Sequence, residues 1–241
     1  MGQFSDVLQL EMSKSFPHAE FETFVNTVRR VTDPYSKARK ESGGALNLIG
    51  WRFRAFCEYK DSYLDSWHRI GANASFEELY LREKAFFGMF VCGVSTIESA
   101  CYACYALASD PSVLNLPFDE SIRRKKSKPS DLLKKLCKVQ PDHQLTRALQ
   151  SGLGSAEWEV YRTYRNTMTH RSDIPRIIYG AIGSAPPPAK IMQFADTWST
   201  KGMHAGEDEF EKLFEWLTLF LRDILRGGEA LGNLALISSS S

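Results

Sequence analysis

The chain has 241 residues, 43% of them hydrophobic, which is enough apolar side chain for a full core in one large domain. Its net charge of +1 excludes a global field that draws it to nucleic acid, so RNA affinity has to come from a local patch. The chain opens with no signal-peptide pattern, Asp6 stands where a myristoylation signal needs Ser or Thr, and no apolar run reaches the roughly 18 residues that span a bilayer.

Those exclusions lead to the expectation of a cytoplasmic protein with no membrane partner. Residues 1–17 read as a short amphipathic segment, expected to be helical over 4–14 and to end near Pro17. From His18 to Val31, the side chains Phe21, Phe24, Val25 and Val28 recur at helical spacing, and Asp33-Pro34 stops the helix they predict. Ser42-Gly43-Gly44 reads as a flexible break. A long helix rich in aromatics is then predicted from Leu46 to Ile70, with Gly71 as its C-terminal stop. Ser75 and Glu78 have the spacing of a capping box for the next helix, which runs to about Ala108 before Asp110-Pro111 ends it.

The second half of that helix, GMFVCGVSTIESACYACYALAS, is apolar on nearly every side and marks a central buried helix. Glu98 is the exception, and an acidic side chain in such a setting has to be paired or to face a cavity. The five cysteines (57, 92, 101, 104 and 137) sit mostly in apolar helical patterns and are expected to be reduced core thiols. Cys101-x-x-Cys104 lacks a second Cys or His pair at a zinc-like spacing.

Residues 111–130 read as a loop holding the run Arg123, Arg124, Lys125 and Lys126, with Lys128 as a fifth basic residue. No aromatic residue interleaves the run, so it is suited to holding phosphates rather than reading bases; the other reading is a solvated loop. Ser130-Asp131 begins a short helix carrying Lys134, Lys135 and Lys138, and another helix is expected at about 142–151. Past Pro175, Arg176–Gly180 and Ala189–Phe194 read as two short strands joined through APPPA, a small β-hairpin within 176–195. An amphipathic helix follows from Glu207 to about Leu225, and the stretch from Gly227-Gly228 to Ser241 is expected to fray.

The segment from Trp158 to Arg176, WEVYRTYRNTMTHRSDIPR, is where the chain spells out chemistry. Glu157 to His170 contains no Gly or Pro, and Trp158, Tyr161 and Met168 share one helical face. Asp173 and Pro175 end the helix soon after, which leaves His170 and Arg171 in a last turn where the helix dipole favours cations. Arg165 and His170 have four residues between them and stand roughly 140° apart around the axis. Asn166 lies between them, so one helix offers a polar strip of Arg, Asn and His without aiming Arg165 and His170 at one point. A two-fold dimer in which two such helices meet is one way to bring them together.

This R-N-x-x-x-H segment, near the C-terminal part of an all-helical chain, resembles the HEPN superfamily, whose motif is Arg, four to six residues, then His. The resemblance implies an all-α HEPN-like helical bundle over residues 1–241, with an extra N-terminal helical segment and the hairpin as an insertion. It also implies a metal-independent endoribonuclease acting as a homodimer through the motif helix, in a toxin–antitoxin or anti-phage setting, with an antitoxin or other regulatory protein as partner. Other members of the family only bind nucleotides or RNA. On this resemblance Arg165, Asn166 and His170 are the catalytic candidates, and Glu98 is added because members often carry a polar or acidic residue near the site on a preceding helix. Some members carry a tyrosine two residues past the motif histidine as a target of nucleotide transfer, and here that place is Ser172.

Other chemistries find no pattern. There is no phosphate loop, dinucleotide fingerprint or G-x-S-x-G elbow, and the histidines at 18, 68, 143, 170 and 204 are scattered. Neither a metal nor a cofactor is expected. Cleavage would start at a ribose 2′-hydroxyl, with His170 as base, Arg165 on the phosphoryl charge, and Asn166 orienting His170 or bonding phosphate. The alternative is a non-catalytic helical module that binds RNA, nucleotide or a protein partner and uses Arg165 and His170 as structural hydrogen-bonders.

Overall fold

The computed structural model describes residues 2–70, 75–117, 128–170, 176–178, 192–194 and 207–238; for His170, Ser238 and the strand residues 176–178 and 192–194 the backbone alone is described. The described residues are mostly helical. Seven helices are found among them: α1 (His18–Val31), α2 (Lys37–Ile70), α3 (Phe76–Ala108), α4 (Pro129–Val139), α5 (Gln144–Leu153), α6 (Ala156–His170) and α7 (Glu207–Ser238). Two small antiparallel hairpins complete the described structure, β1 (Gln3–Ser5) with β2 (Leu10–Met12) and β3 (Arg176–Ile178) with β4 (Met192–Phe194). The second is the hairpin expected within 176–195, in the register Arg176 to Phe194, Ile177 to Gln193 and Ile178 to Met192. Its connecting residues, 179–191, lie outside the described residues.

Local chemistry accounts for the helix starts. Ser75 Oγ accepts the backbone N–H of Glu78 at 3.3 Å, and Glu78 Oε2 accepts the backbone N–H of Ser75 at 2.9 Å, the reciprocal pairing of a capping box. These bonds hold the Glu78 carboxyl below its usual range. Pro129 takes the first-turn position of α4, where a missing N–H costs nothing. His143 caps α5 through Nδ1, which accepts from the Leu145 N–H at 3.1 Å, and burial lowers its imidazole pKa.

Three expectations need correcting. Residues 4–14 form a hairpin, not a helix: Gln9 takes a left-handed φ of 52°, Ser5 Oγ accepts the Leu8 N–H, and Phe4 pairs with Glu11. Leu10, Glu11 and Met12 alternate from half-buried to exposed to buried, the period of a strand. The break at Ser42-Gly43-Gly44 is also absent, because α2 starts at Lys37 with Ser36 Oγ accepting the Arg39 N–H at 3.1 Å. Ala38, Ala45, Leu46 and Ile49 are buried along this stretch, and that packing overrides the weak helix propensity of two glycines. A Cβ at Gly43 or Gly44 would meet nothing within 4 Å. The double substitution Gly43→Ala/Gly44→Ala is therefore expected to stabilise the chain by about 1–2 kcal/mol, read as a raised midpoint in chemical denaturation.

The third correction lies at the C-terminal end, where α7 runs on to Ser238 instead of stopping near Leu225. Its glycines are contact points: a Cβ at Gly227 would come within 2.6 Å of Leu145 Cα, one at Gly228 within 2.7 Å of the Phe24 ring, and one at Gly232 within 2.5 Å of Thr27 Cγ2. Here glycine lets α1 and α5 approach the helix backbone, and that packing offsets the entropic penalty. Ser239 to Ser241 lie outside the described residues.

The chain gathers into two compact units: Met1–Arg54, Ser95–Ser155 and Leu217–Ser241 in the first, Ala55–Val94 and Ala156–Trp216 in the second. In the first, Phe21, Phe24, Leu107, Leu136, Leu145 and Leu149 are buried, and Glu20 ties α1 to α7 through Arg226 at 2.8 Å. Cys101 and Cys104 belong to this core, and burial pushes both thiols up, Cys104 beyond the range in which thiolate forms. Cys57 is buried as well, whereas Cys92 and Cys137 are only half-buried. By length and composition α3 contains an 18-residue window apolar enough to cross a membrane, and 67% of that window is buried.

The core of the second unit is aromatic. Tyr63 meets Phe210 with ring centres 4.9 Å apart, Phe86 meets Phe90 at 4.9 Å, and Phe56 stacks on Phe214 at 5.6 Å. Buried Lys60 donates to Glu211, with its ammonium 4.7 Å above the Phe214 ring. The Arg82 guanidinium lies 3.9 Å over Trp67. This frame carries the motif helix.

Candidate functional site

Helix α6 is fixed on the aromatic core by one side. Trp158, Tyr161, Tyr164 and Thr167 are buried, while Met168, expected on the same face, is half-buried. Tyr164 stacks on Phe90 at 5.2 Å, Tyr161 lies 5.4 Å from Phe90 and 5.7 Å from Trp216, and the Tyr161 hydroxyl donates to the Leu213 carbonyl at 3.1 Å. Burial pushes the Tyr161 phenol up, so it serves as a neutral anchor and not as an acid. Glu157 and Glu159 occupy the first turn, where the helix dipole favours negative charge. Glu159 also accepts from Arg162 at 2.7 Å and from the Thr163 hydroxyl at 3.1 Å.

On this anchored helix Arg165 is half-buried, one turn past Tyr161. Its Nη1–H donates to Asn166 Oδ1 at 2.9 Å, which joins two of the candidate residues directly. The bond fixes one edge of the guanidinium plane and uses one of its five N–H donors. Asn166, expected to orient His170 or to bond phosphate, is thus engaged with the arginine. Thr169 Oγ1 donates to the Arg165 carbonyl at 2.7 Å and helps satisfy the last turn. His170 is the last residue of α6 among the described residues, and the expected stop at Asp173 and Pro175 lies outside them. Its side chain and residues 171–175 lie outside the described residues.

Glu98 is half-buried in α3, one turn before Cys101, and its charge adds to the upward push on that thiol after burial and Cys104. It belongs to the first compact unit, whereas Arg165, Asn166 and His170 belong to the second. Of the basic run, Arg123, Arg124, Lys125 and Lys126 lie outside the described residues. Lys128 is exposed at the N-cap of α4, and Lys134 and Lys138 are exposed on the helix behind it. Lys135 is held in the structure, donating to the Tyr105 hydroxyl and, at 3.0 Å, to the Pro117 carbonyl.

The Arg165–Asn166 bond was within reach of sequence reasoning only as adjacency, because two neighbouring side chains on a helix diverge by about 100° unless a long one bends back. Among the described residues no three His, Cys, Asp or Glu side chains gather as a metal site requires. No family model matches the chain, and neither a curated protein nor a solved structure matches it.

Proposed function

We propose that this chain is a metal-independent endoribonuclease of the HEPN type, acting as a two-fold dimer, with Arg165 and His170 as its catalytic residues. The observation that carries this reading is the Arg165–Asn166 hydrogen bond on a helix locked into an aromatic core. A guanidinium held in place by its neighbour needs little reorganisation to meet the charge that builds on a phosphoryl group. His170, five residues on, takes the proton of a ribose 2′-hydroxyl, a role suited to a group that titrates near neutral pH. The 2′-oxygen then attacks phosphorus, the bond to the 5′-oxygen breaks, and that oxygen leaves with a proton. The products are a 2′,3′-cyclic phosphate and a 5′-hydroxyl. Asn166 is a positioning residue that acts through Arg165. An antitoxin or other regulatory protein is the partner proposed to restrain such an activity in a cell.

Asn166→Ala tests the positioning role. Losing one hydrogen bond of net worth about 1 kcal/mol should lower the cleavage rate roughly five- to tenfold, well short of the effect of Arg165→Ala. A rate equal to that of the wild type would remove Asn166 from the site. A second reading, a non-catalytic module binding RNA, nucleotide or protein, draws on the same bond, because a paired arginine also serves architecture. The readings separate on stability: a structural Arg165 lowers the melting temperature when truncated, a catalytic one leaves it nearly unchanged.

A further inference from the structure

His143 lies in the short turn between α4 and α5, beside the stretch of α7 that holds Ala230, all within the first compact unit. It is the N-cap of α5: its backbone is extended, with φ −68° and ψ 147°, and Nδ1 accepts the Leu145 N–H at 3.1 Å. Only an unprotonated Nδ1 can accept, because both ring nitrogens of an imidazolium are donors. A histidine cap thus differs from the usual Ser, Thr, Asn or Asp in that its acceptor disappears on a mild fall in pH.

The surroundings oppose the imidazolium on three counts. The ring is half-buried, so charging it costs hydration. It stands at a helix N-terminus, where the partial positive charge of the backbone disfavours a cation. Arg147, one turn into α5, adds a further positive charge. The Ala230 backbone carbonyl of α7 works the other way without reversing the direction. None of the other charged groups beside the ring in these elements, Lys138 of α4, Asp142 of the turn and Glu229 of α7, weighs on the imidazole as Arg147 does.

The seating of α5 depends on this cap. Leu145, Thr146 and Leu149 are buried, and α5 comes so close to α7 that a Cβ on Gly227 would lie 2.6 Å from Leu145 Cα. The residue whose N–H the imidazole accepts is therefore the one that packs on the α7 backbone. We infer that His143 is a proton-sensitive catch: a proton taken up at Nδ1 frees the Leu145 N–H and loosens the first turn of α5 from α7. Protonation turns the acceptor into a second donor aimed at the Leu145 N–H, so two donors oppose each other where a bond had been. The folded chain resists a proton that the unfolded chain accepts near pH 6.5. Stability from this group is complete above that pH and is lost as pH falls through it. The catch belongs to the first compact unit and stands apart from the ribonuclease reading.

The test compares the full-length wild type with His143→Asn, since an asparagine oxygen caps a helix without titrating. Urea denaturation of both at pH 7.5 and 5.5 cancels the other four histidines, which the two proteins share. Between those pH values the unfolding constant of the wild type should rise about three- to tenfold more than that of the variant. Ten is about the ceiling for one histidine of ordinary unfolded pKa. At pH 5.5, amide hydrogen exchange in the first turn of α5 should be faster in the wild type than in His143→Asn. An equal pH dependence, α5 amides that exchange alike, or a wild-type His143 that titrates by NMR at or above the ordinary histidine value overturns the catch. The NMR titration also decides the matter should His143→Asn fail to fold.

Discussion

His170→Ala should lower RNA cleavage by roughly 10²–10⁴-fold, the range lost when a general base is removed, and Arg165→Ala by roughly 10²–10³-fold. Both variants should stay folded. His170 is the final residue of α6, past the buried Trp158, Tyr161, Tyr164 and Thr167 that fix the helix. Among its contacts Arg165 gives up the bond to Asn166, worth about 1 kcal/mol in net stability. A change of that size in a chain of this length moves the melting temperature by about 2–4 °C. The cleavage assay and a thermal melt on the same preparations check the pair of expectations together. Loss of fold in both variants would assign the two residues to architecture.

Replacing Arg123, Arg124, Lys125, Lys126 and Lys128 together by alanine or serine should weaken RNA binding and flatten its salt dependence. Each phosphate contact on a single strand contributes about 0.7 to the slope of log affinity against log salt, so five contacts account for a slope of about 3.5. Between 50 and 200 mM salt that slope amounts to roughly a hundredfold in affinity. Net charge cannot supply this dependence, since the whole chain carries only +1. Lys135, tied to Tyr105 and Pro117, should be left in place, because truncating it would disturb the core and confuse the result. Binding titrations at several salt concentrations decide the matter, and an unchanged slope returns the run to a solvated loop.

What the sequence disclosed follows from how local each signal is. The helix at His18–Val31, the Ser75–Glu78 capping box and the helical course of the motif segment up to His170 rest on periodicity and cap chemistry within a few residues, and the structure has them where the pattern places them. The paired strands near 176–194 likewise follow short apolar runs around a proline-rich link. The misreadings involve glycine and short amphipathic runs. Gly43-Gly44 and Gly227-Gly228 look like breaks in a sequence, yet one pair lies in a helix held by Ala38, Ala45 and Ile49, and the other admits Leu145 and Phe24 against its backbone. Tertiary packing decided both. Phe4, Leu8, Leu10 and Met12 fit a helix face as well as a strand, and the left-handed turn at Gln9 that settles the matter has no strong residue signature. At the candidate site the Arg–Asn–His strip was legible as a motif, but the bond from Arg165 to Asn166 and the aromatic clamp of Tyr164 on Phe90 required coordinates.

The central claim is that a ribose 2′-hydroxyl is the nucleophile and that no metal takes part. The most direct measurement is cleavage by the wild type in EDTA of a single-stranded RNA, beside the same RNA carrying one 2′-deoxy nucleotide immediately 5′ of the scissile bond. The expected result is undiminished cleavage of the RNA in EDTA, a 2′,3′-cyclic phosphate on the new end, and no cut at the deoxy position. Cleavage at the deoxy position, or activity abolished by EDTA and restored by a divalent ion, would contradict it.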